Sequence, residues 1–111
     1  MATNYEVIAQ RANTTITLED LYTVPASTEI IISTIVIANR SASARTFQIA
    51  VRPNGEGINN KHYLAFNVPI SPNDSTTLTL GITMSAGDIL SCATSAADDL
   101  SFNVFGAVIT T

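Results

Sequence analysis

From Tyr5 to Ile109 the chain is built of short β-branched and aromatic runs broken by clusters of Pro, Gly, Asn, Asp and Ser. The breaks come about every ten to fifteen residues, the spacing of a sandwich or barrel. No stretch carries apolar residues at i, i+3, i+4 and i+7 over three turns, so amphipathic helices are not the building unit. Thr, Ile and Val restrict their own χ1 and pack well on a pleated surface. The pattern predicts an all-β fold: one antiparallel β-sandwich, jelly-roll-like, of about eight strands, spanning residues 1–111 as a single domain. Residues 1–13 are expected as an N-terminal arm or an edge strand.

The expected strands are Tyr5–Arg11, Thr14–Glu19, Glu29–Asn39, Arg45–Arg52, Lys61–Asn67, Thr76–Thr83, Ile89–Thr94 and Leu100–Ile109. Alternation within them nominates Ile35, Phe47, Ile49, Val51, Leu78, Leu80, Ile82, Phe102 and Val104 for the core. Pro25 ends one strand because it lacks the N–H a ladder needs. Asn39–Ser43 offers side-chain bonds to its own backbone, and Asn54-Gly55 tolerates positive φ. Pro69–Asp74 reads as a crossing between sheets, Ser85–Asp88 as a tight hairpin, and Ala96–Asp99 as the closure of the last strand pair.

The segment Ile30–Ile37 breaks the alternation. Ile30, Ile32 and Val36 fall on one side, and Ile31, Ile35 and Ile37 on the other. One face of an antiparallel sandwich strand is normally wet. A second apolar face therefore needs a cover, either a loop of the same chain such as Asn54–Asn60 or another subunit. The last strand behaves alike, with Phe105, Ala107 and Ile109 opposing Phe102, Val104 and Val108. Two such strands favour an oligomer, with Ile30, Ile32, Val36, Phe105 and Ile109 as interface candidates.

Composition supports this. Charged residues make up only 13 % of the 111 residues, and hydrophobic residues 46 %. Hydroxyl and amide side chains supply the remaining polarity, which suits a surface packed against other subunits. A net charge of −4 argues against nucleic acid as a partner. No apolar run approaches a membrane span, and Met1–Glu6 has no basic or hydrophobic signal region. Cys92 is the single cysteine, so no intrachain disulfide forms and synthesis in a reducing cytosol is expected.

Little chemistry is available. His62 is the only histidine, and no Gly-x-Ser-x-Gly elbow accompanies it. A hydrogen-bonding or interface histidine is the expected reading. Cys92 reads as a small buried hydrophobe. Asp74, Asp88, Asp98 and Asp99 lack any EF-hand spacing, and one His with one Cys makes a zinc site improbable. No Gly-rich phosphate loop opens a helix. Trp, the preferred platform for sugar rings, is absent. No catalytic residue, cofactor or metal is expected.

Several segments together resemble a known group. They are Leu21–Ala26, Ile32–Val36 with Asn39-Arg40, Thr46–Pro53 with Gly55, and Lys61-His62-Tyr63. Pro69-Ile70 with Asn73-Asp74, Leu80–Thr83 and Leu100–Gly106 continue the pattern. The chain is similar to small virion structural proteins of tailed bacteriophages and cyanophages over residues 14–109. That resemblance implies a β-sandwich that assembles into a homo-oligomer, a trimer by preference, in contact with the major capsid protein or with tail and neck proteins. It brings no catalytic residues. The implied place is the virion, after synthesis in the host cytoplasm. Capsid decoration (cement) is the first reading; a tail, neck, baseplate or fibre component is the second. A host-surface glycan-binding module is a third, from a different class.

Overall fold

A computed structural model describes residues 1–111. Nine strands form two antiparallel sheets: β1 (Ala2–Ala12), β2 (Glu19–Thr23), β3 (Thr28–Asn39), β4 (Arg45–Arg52), β5 (Tyr63–Ile70), β6 (Ser75–Leu78), β7 (Ile82–Ser85), β8 (Ile89–Thr94) and β9 (Leu100–Thr110). Strand accounts for 62 % of residues; the 5 % that is helical lies in two 3-10 turns, Pro53–Gly55 and Asn60–His62. One sheet runs β1-β9-β3-β6, with β7 also on β3; the other runs β2-β8-β4-β5.

Only β4 and β5 are both consecutive and paired with each other. Every other connection, apart from the short β6–β7 step, passes from one sheet to the other. This is jelly-roll topology, and it corrects two expected turns. Ser85–Asp88 is not a hairpin, because β7 lies on β3 while β8 joins the other sheet. Ala96–Asp99 likewise carries the chain from β8 across to β9. Pro69–Asp74 crosses between the sheets, as its composition predicts.

The core lies between the sheets. Phe47 and Ile49 of β4, Leu90 and Cys92 of β8, and Leu100, Phe102 and Val104 of β9 are fully enclosed. Ile30, Ile32, Ile35 and Ile37 of β3 join them, each at most 1 % exposed. Val51, Leu78 and Ile82 pack at the margin, half-buried.

A bulge explains how four Ile of β3 share one face. Opposite β9, Ile32 pairs with Gly106 and Thr34 with Phe105, which leaves Ser33 unpaired. One extra residue reverses the parity of everything after it. The expected grouping of Ile30, Ile32 and Val36 is therefore corrected: Ile30 and Ile32 point inward with Ile35 and Ile37, and Val36 points outward. The Asn54–Asn60 loop does not cover β3; it joins β4 to β5 in the other sheet, where Asn54 N–H donates to Asp88 Oδ1 (2.8 Å).

The expected Thr76–Thr83 strand is split beside this bulge, by a surplus residue of its own. Leu78 pairs with Ile35 and Ile82 with Ile32. Two residues of β3 lie between those pairs, against Thr79, Leu80 and Gly81 on the other side. The surplus residue cannot stay in the ladder, Gly81 turns to φ +63°, and Leu80 is 51 % exposed rather than in the core.

Thr14–Glu19 is not a strand either. The Glu19 carboxylate accepts from Thr15 N–H (3.1 Å) and Thr15 Oγ1–H (3.0 Å). Side-chain bonds of this kind compete with a ladder and hold the segment as a bent loop. Pairing begins at Glu19, against Cys92 of β8.

Polar pins hold the loops at the ends of the sandwich. Buried Asn39 donates to Ser43 O, Ile70 O and Ser71 O, and accepts from Ser41 N–H. Every arginine is paired: Arg11 with Glu19, Arg40 with Asp98, Arg45 with Asp99 and Arg52 with Asp20. The Arg11 contact holds the Glu19 carboxyl below its usual range.

Candidate functional site

The outer face of the five-stranded sheet carries the expected second apolar surface, with altered membership. Paired residues of antiparallel strands share a face, so the registers assemble it row by row. Tyr5 of β1 lies beside Ala107 of β9, which lies beside Ile31 of β3 and then Thr83 of β7. On one side runs the row Thr3, Ile109, Glu29 and Ser85. On the other run Val7, Phe105 and Thr34. Beyond that row the face turns polar: Gln10 Nε2–H donates to Asn103 Oδ1 at 2.7 Å.

Tyr5 is 86 % exposed, Val7 49 % and Ile31 42 %. Phe105 and Ile109 are half-buried among them. Of the five residues nominated from sequence, Val36, Phe105 and Ile109 stand on this face; Ile30 and Ile32 lie in the core beneath it. Tyr5 and Val7 were legible in the alternation of β1, where they oppose Asn4 and Glu6. Ile31 was not, because the Ser33 bulge exchanges its partners.

The centre of the face is pinched. An ideal Cβ on Gly106 would stand 2.0 Å from the carbonyl oxygen of Ile31. Nothing larger than glycine fits where β9 passes the bulge, and Ser33 Oγ–H ties the bulge to Phe105 O at 3.1 Å. A shallow hollow between Tyr5, Ile31, Ser33 and Ile109 results.

The side chains considered for chemistry have structural duties. His62 is 5 % exposed and caps its own 3-10 turn; its Nδ1 accepts from Asn59 N–H (3.0 Å) and its Nε2 faces Glu56 Oε1 (3.3 Å). Cys92 is wholly buried, and burial pushes its thiol up to about 12. Asp88 accepts from Asn54 N–H and Ser85 N–H, Asp74 accepts from Ser75 N–H, and Asp98 and Asp99 pair with arginines. No three His, Cys, Asp or Glu side chains gather in a metal-binding group. No helix is long and apolar enough to cross a membrane.

No protein-family model and no curated protein matches the chain. Solved structures do. A chain in the structure of infectious bursal disease virus Gx strain superposes on 96 % of this chain with a TM-score of 0.52 at 12 % identity. The likeness is one of fold. This chain spans 32 % of the length of that one. A pentameric capsid protein isolated from metagenomic phage sequences aligns at 19 % identity, over 97 % of this chain and 61 % of its own, with a TM-score of 0.42. A chain of the acid-stable capsid of Helicobacter pylori bacteriophage KHP30 aligns at 12 % identity, over 99 % and 100 %, with a TM-score of 0.44.

Proposed function

We propose that this chain is a non-enzymatic virion structural protein of a bacteriophage, and that it works by assembling through the outer face of the β1-β9-β3 sheet. The observation that carries the reading is that face itself. Tyr5, Val7 and Ile31 stand exposed beside Phe105, Ala107 and Ile109, with a polar border of Thr3, Glu29, Gln10 and Asn103. Apolar patches with polar rims mark interaction surfaces. Burying a Val or Ile side chain fully is worth about 1.5–3 kcal/mol, and Val7 and Ile31, each about half exposed, gain a corresponding fraction when covered, which favours association. The jelly roll, the fold shared with a chain of a virus structure, and the resemblance to small phage virion proteins support the same reading.

Capsid decoration is the first choice within that role, and a trimer the first choice of assembly; both preferences come from the resemblance. Closed symmetry covers a sticky face without open-ended growth. Light scattering of the purified protein at micromolar concentration tests the assembly, with about 35 kDa expected for three chains of 11.7 kDa each. A sharp monomer peak would sink the free trimer. Copy number per particle separates decoration from a tail or neck role: hundreds of copies are expected for decoration, and on the order of a dozen would reassign the protein to the tail or neck.

A further inference from the structure

The outer face of the other sheet carries a second hollow of different chemistry, which the assembly reading does not use. Its floor is Gln48 of β4 and Ala93 and Thr94 of β8, with Ser95 just past the end of β8. One wall is β5, with Tyr63 and Asn67; the other is the β1–β2 loop, with Ile16 and Leu18. No charged residue lines it. An anion such as phosphate or sialate would find no cation there, and a cation no carboxylate.

Hydrogen bonding in the hollow is half spent. Gln48 Nε2–H donates to Asn67 Oδ1 at 2.8 Å. That leaves Gln48 Oε1 as a free acceptor and Asn67 Nδ2 as a free donor, side by side. Exchanging O and N in both amides would leave one donor and one acceptor again, with their places swapped. Ser95 Oγ accepts from Thr46 N–H at 2.9 Å, so its hydroxyl proton remains available. The Tyr63 hydroxyl has no protein partner. Its ring is braced edge-on by Phe66, with centroids 4.9 Å apart and planes at 83°.

Asn67 is placed deliberately. β5 carries an extra residue against β4, because Phe47 pairs with Val68 while Ile49 pairs with Ala65. Asn67 sits in that bulge at φ +52°, where glycine would be the easier residue. Bulges re-aim side chains, and this one aims an amide over Gln48. Adjacent fixed donor and acceptor groups match vicinal hydroxyls, each of which both gives and takes a hydrogen bond. Tyr63 with Ile16 and Leu18 matches the apolar C–H face of a pyranose ring.

We infer that this hollow on β4, β5 and β8 is a binding site for a neutral saccharide. The test is a titration of isotope-labelled protein, followed by NMR, with glucose, galactose, N-acetylglucosamine and maltose at millimolar concentrations. N-methylacetamide, a peptide-bond mimic, and anionic N-acetylneuraminate serve as comparators. At least one neutral sugar is expected to shift the Gln48 and Asn67 side-chain amide signals saturably, at concentrations where neither comparator does. Asn67→Gly removes the amide but suits the backbone, so it is expected to weaken binding at least tenfold without lowering the unfolding temperature. Tyr63→Ala is expected to abolish binding, and Tyr63→Phe to retain it within a few-fold. The inference is overturned if no neutral sugar shifts those signals, if either comparator binds as well as the sugars, or if Asn67→Gly binds as the parent does.

Discussion

Cys92 and Asn13 show how single residues fix this fold. The Cys92 thiol donates to Asn13 Oδ1 at 3.2 Å, and Asn13 Nδ2–H donates to Cys92 O at 3.1 Å, both fully buried. Desolvation by burial is the main cause of the raised thiol pKa. In the unfolded chain the thiol ionises near its ordinary 9.0, and in the folded chain only near about 12. The unfolded state therefore releases its proton first as pH rises. Stability is complete below the lower value and is lost between the two, by up to about 1.4 kcal/mol per pH unit. Denaturant melts between pH 8 and about 10, below the range where the half-buried, raised Tyr22 phenol adds a slope of the same sign, should show this slope, and Cys92→Ala should flatten it. An equal slope in the variant would place the titration elsewhere. Gly106 is the opposite kind of constraint, since it acts by what it lacks. Gly106→Ala forces a methyl against the Ile31 carbonyl and should destabilise by about 1–3 kcal/mol or more, because backbone cannot swing aside as a side chain can. A variant as stable as the parent would mean the two strands separate freely at the bulge.

At the scale of the element, β3 and its partners decide which apolar residues are core. Phe102 is enclosed, and Phe102→Ala should cost about 3–5 kcal/mol. Leu80, equally apolar in sequence, is extruded opposite the Ser33 bulge, and Leu80→Ser should change stability by no more than about 0.5 kcal/mol. Chemical denaturation of the two variants side by side checks the assignment; comparable losses would contradict it. The pair also marks where sequence reading stops. Arg45–Arg52 was legible to the residue through its alternation and Pro53, and Ile89–Thr94 through the turn residues at Gly87-Asp88 and Ser95 that bound it. β9 was legible with both of its faces, since it contains no bulge of its own. β3 was not, because an unpaired Ser33 leaves no local mark in a run of β-branched residues. One unmarked residue carried Ile30 and Ile32 from the expected interface into the core and hid Ile31. Thr14–Glu19 failed for a related reason: Thr has strand propensity, but a carboxylate four residues away offers its backbone another partner. Of the saccharide hollow, only the residue types were visible. The register that brings Asn67 over Gln48 depends on a second bulge in β5, as silent in the sequence as the first.

The whole molecule divides its labour between two outer faces. The four-stranded sheet covers much of its outer surface with polar bridges: Arg52 Nε–H donates to Ser91 Oγ and Arg52 also pairs with Asp20, while Gln48 meets Asn67. The five-stranded sheet has polar bridges only toward one end, where Gln10 meets Asn103 and Arg40 meets Ser101; the rows around Ala107 have none. Its β1 edge strand, Ala2–Ala12, is long, and Glu6 and Arg11 are its only charges. Long edges are usually guarded by charge, Pro, short length or a bulge; here the bulge at Ile8 and those two charges are the guard, and the stretch Ala2–Tyr5 has none of these. Folding itself does not need the face, because the core beneath it closes with the bulged β3 and Gly106. Assembly and stability should therefore separate experimentally. Tyr5→Lys with Ile31→Lys places two charges in one row of the exposed face, on either side of Ala107. Each remains solvated in an isolated chain, so the monomer should unfold within about 1 kcal/mol of the parent. In an interface both would be stripped of water without a partner, which costs several kcal/mol per ion. Light scattering should then report a mass near 11.7 kDa where the parent assembles. A double variant that keeps the parent's mass while folding normally would move the assembly surface off the β1-β9-β3 face altogether.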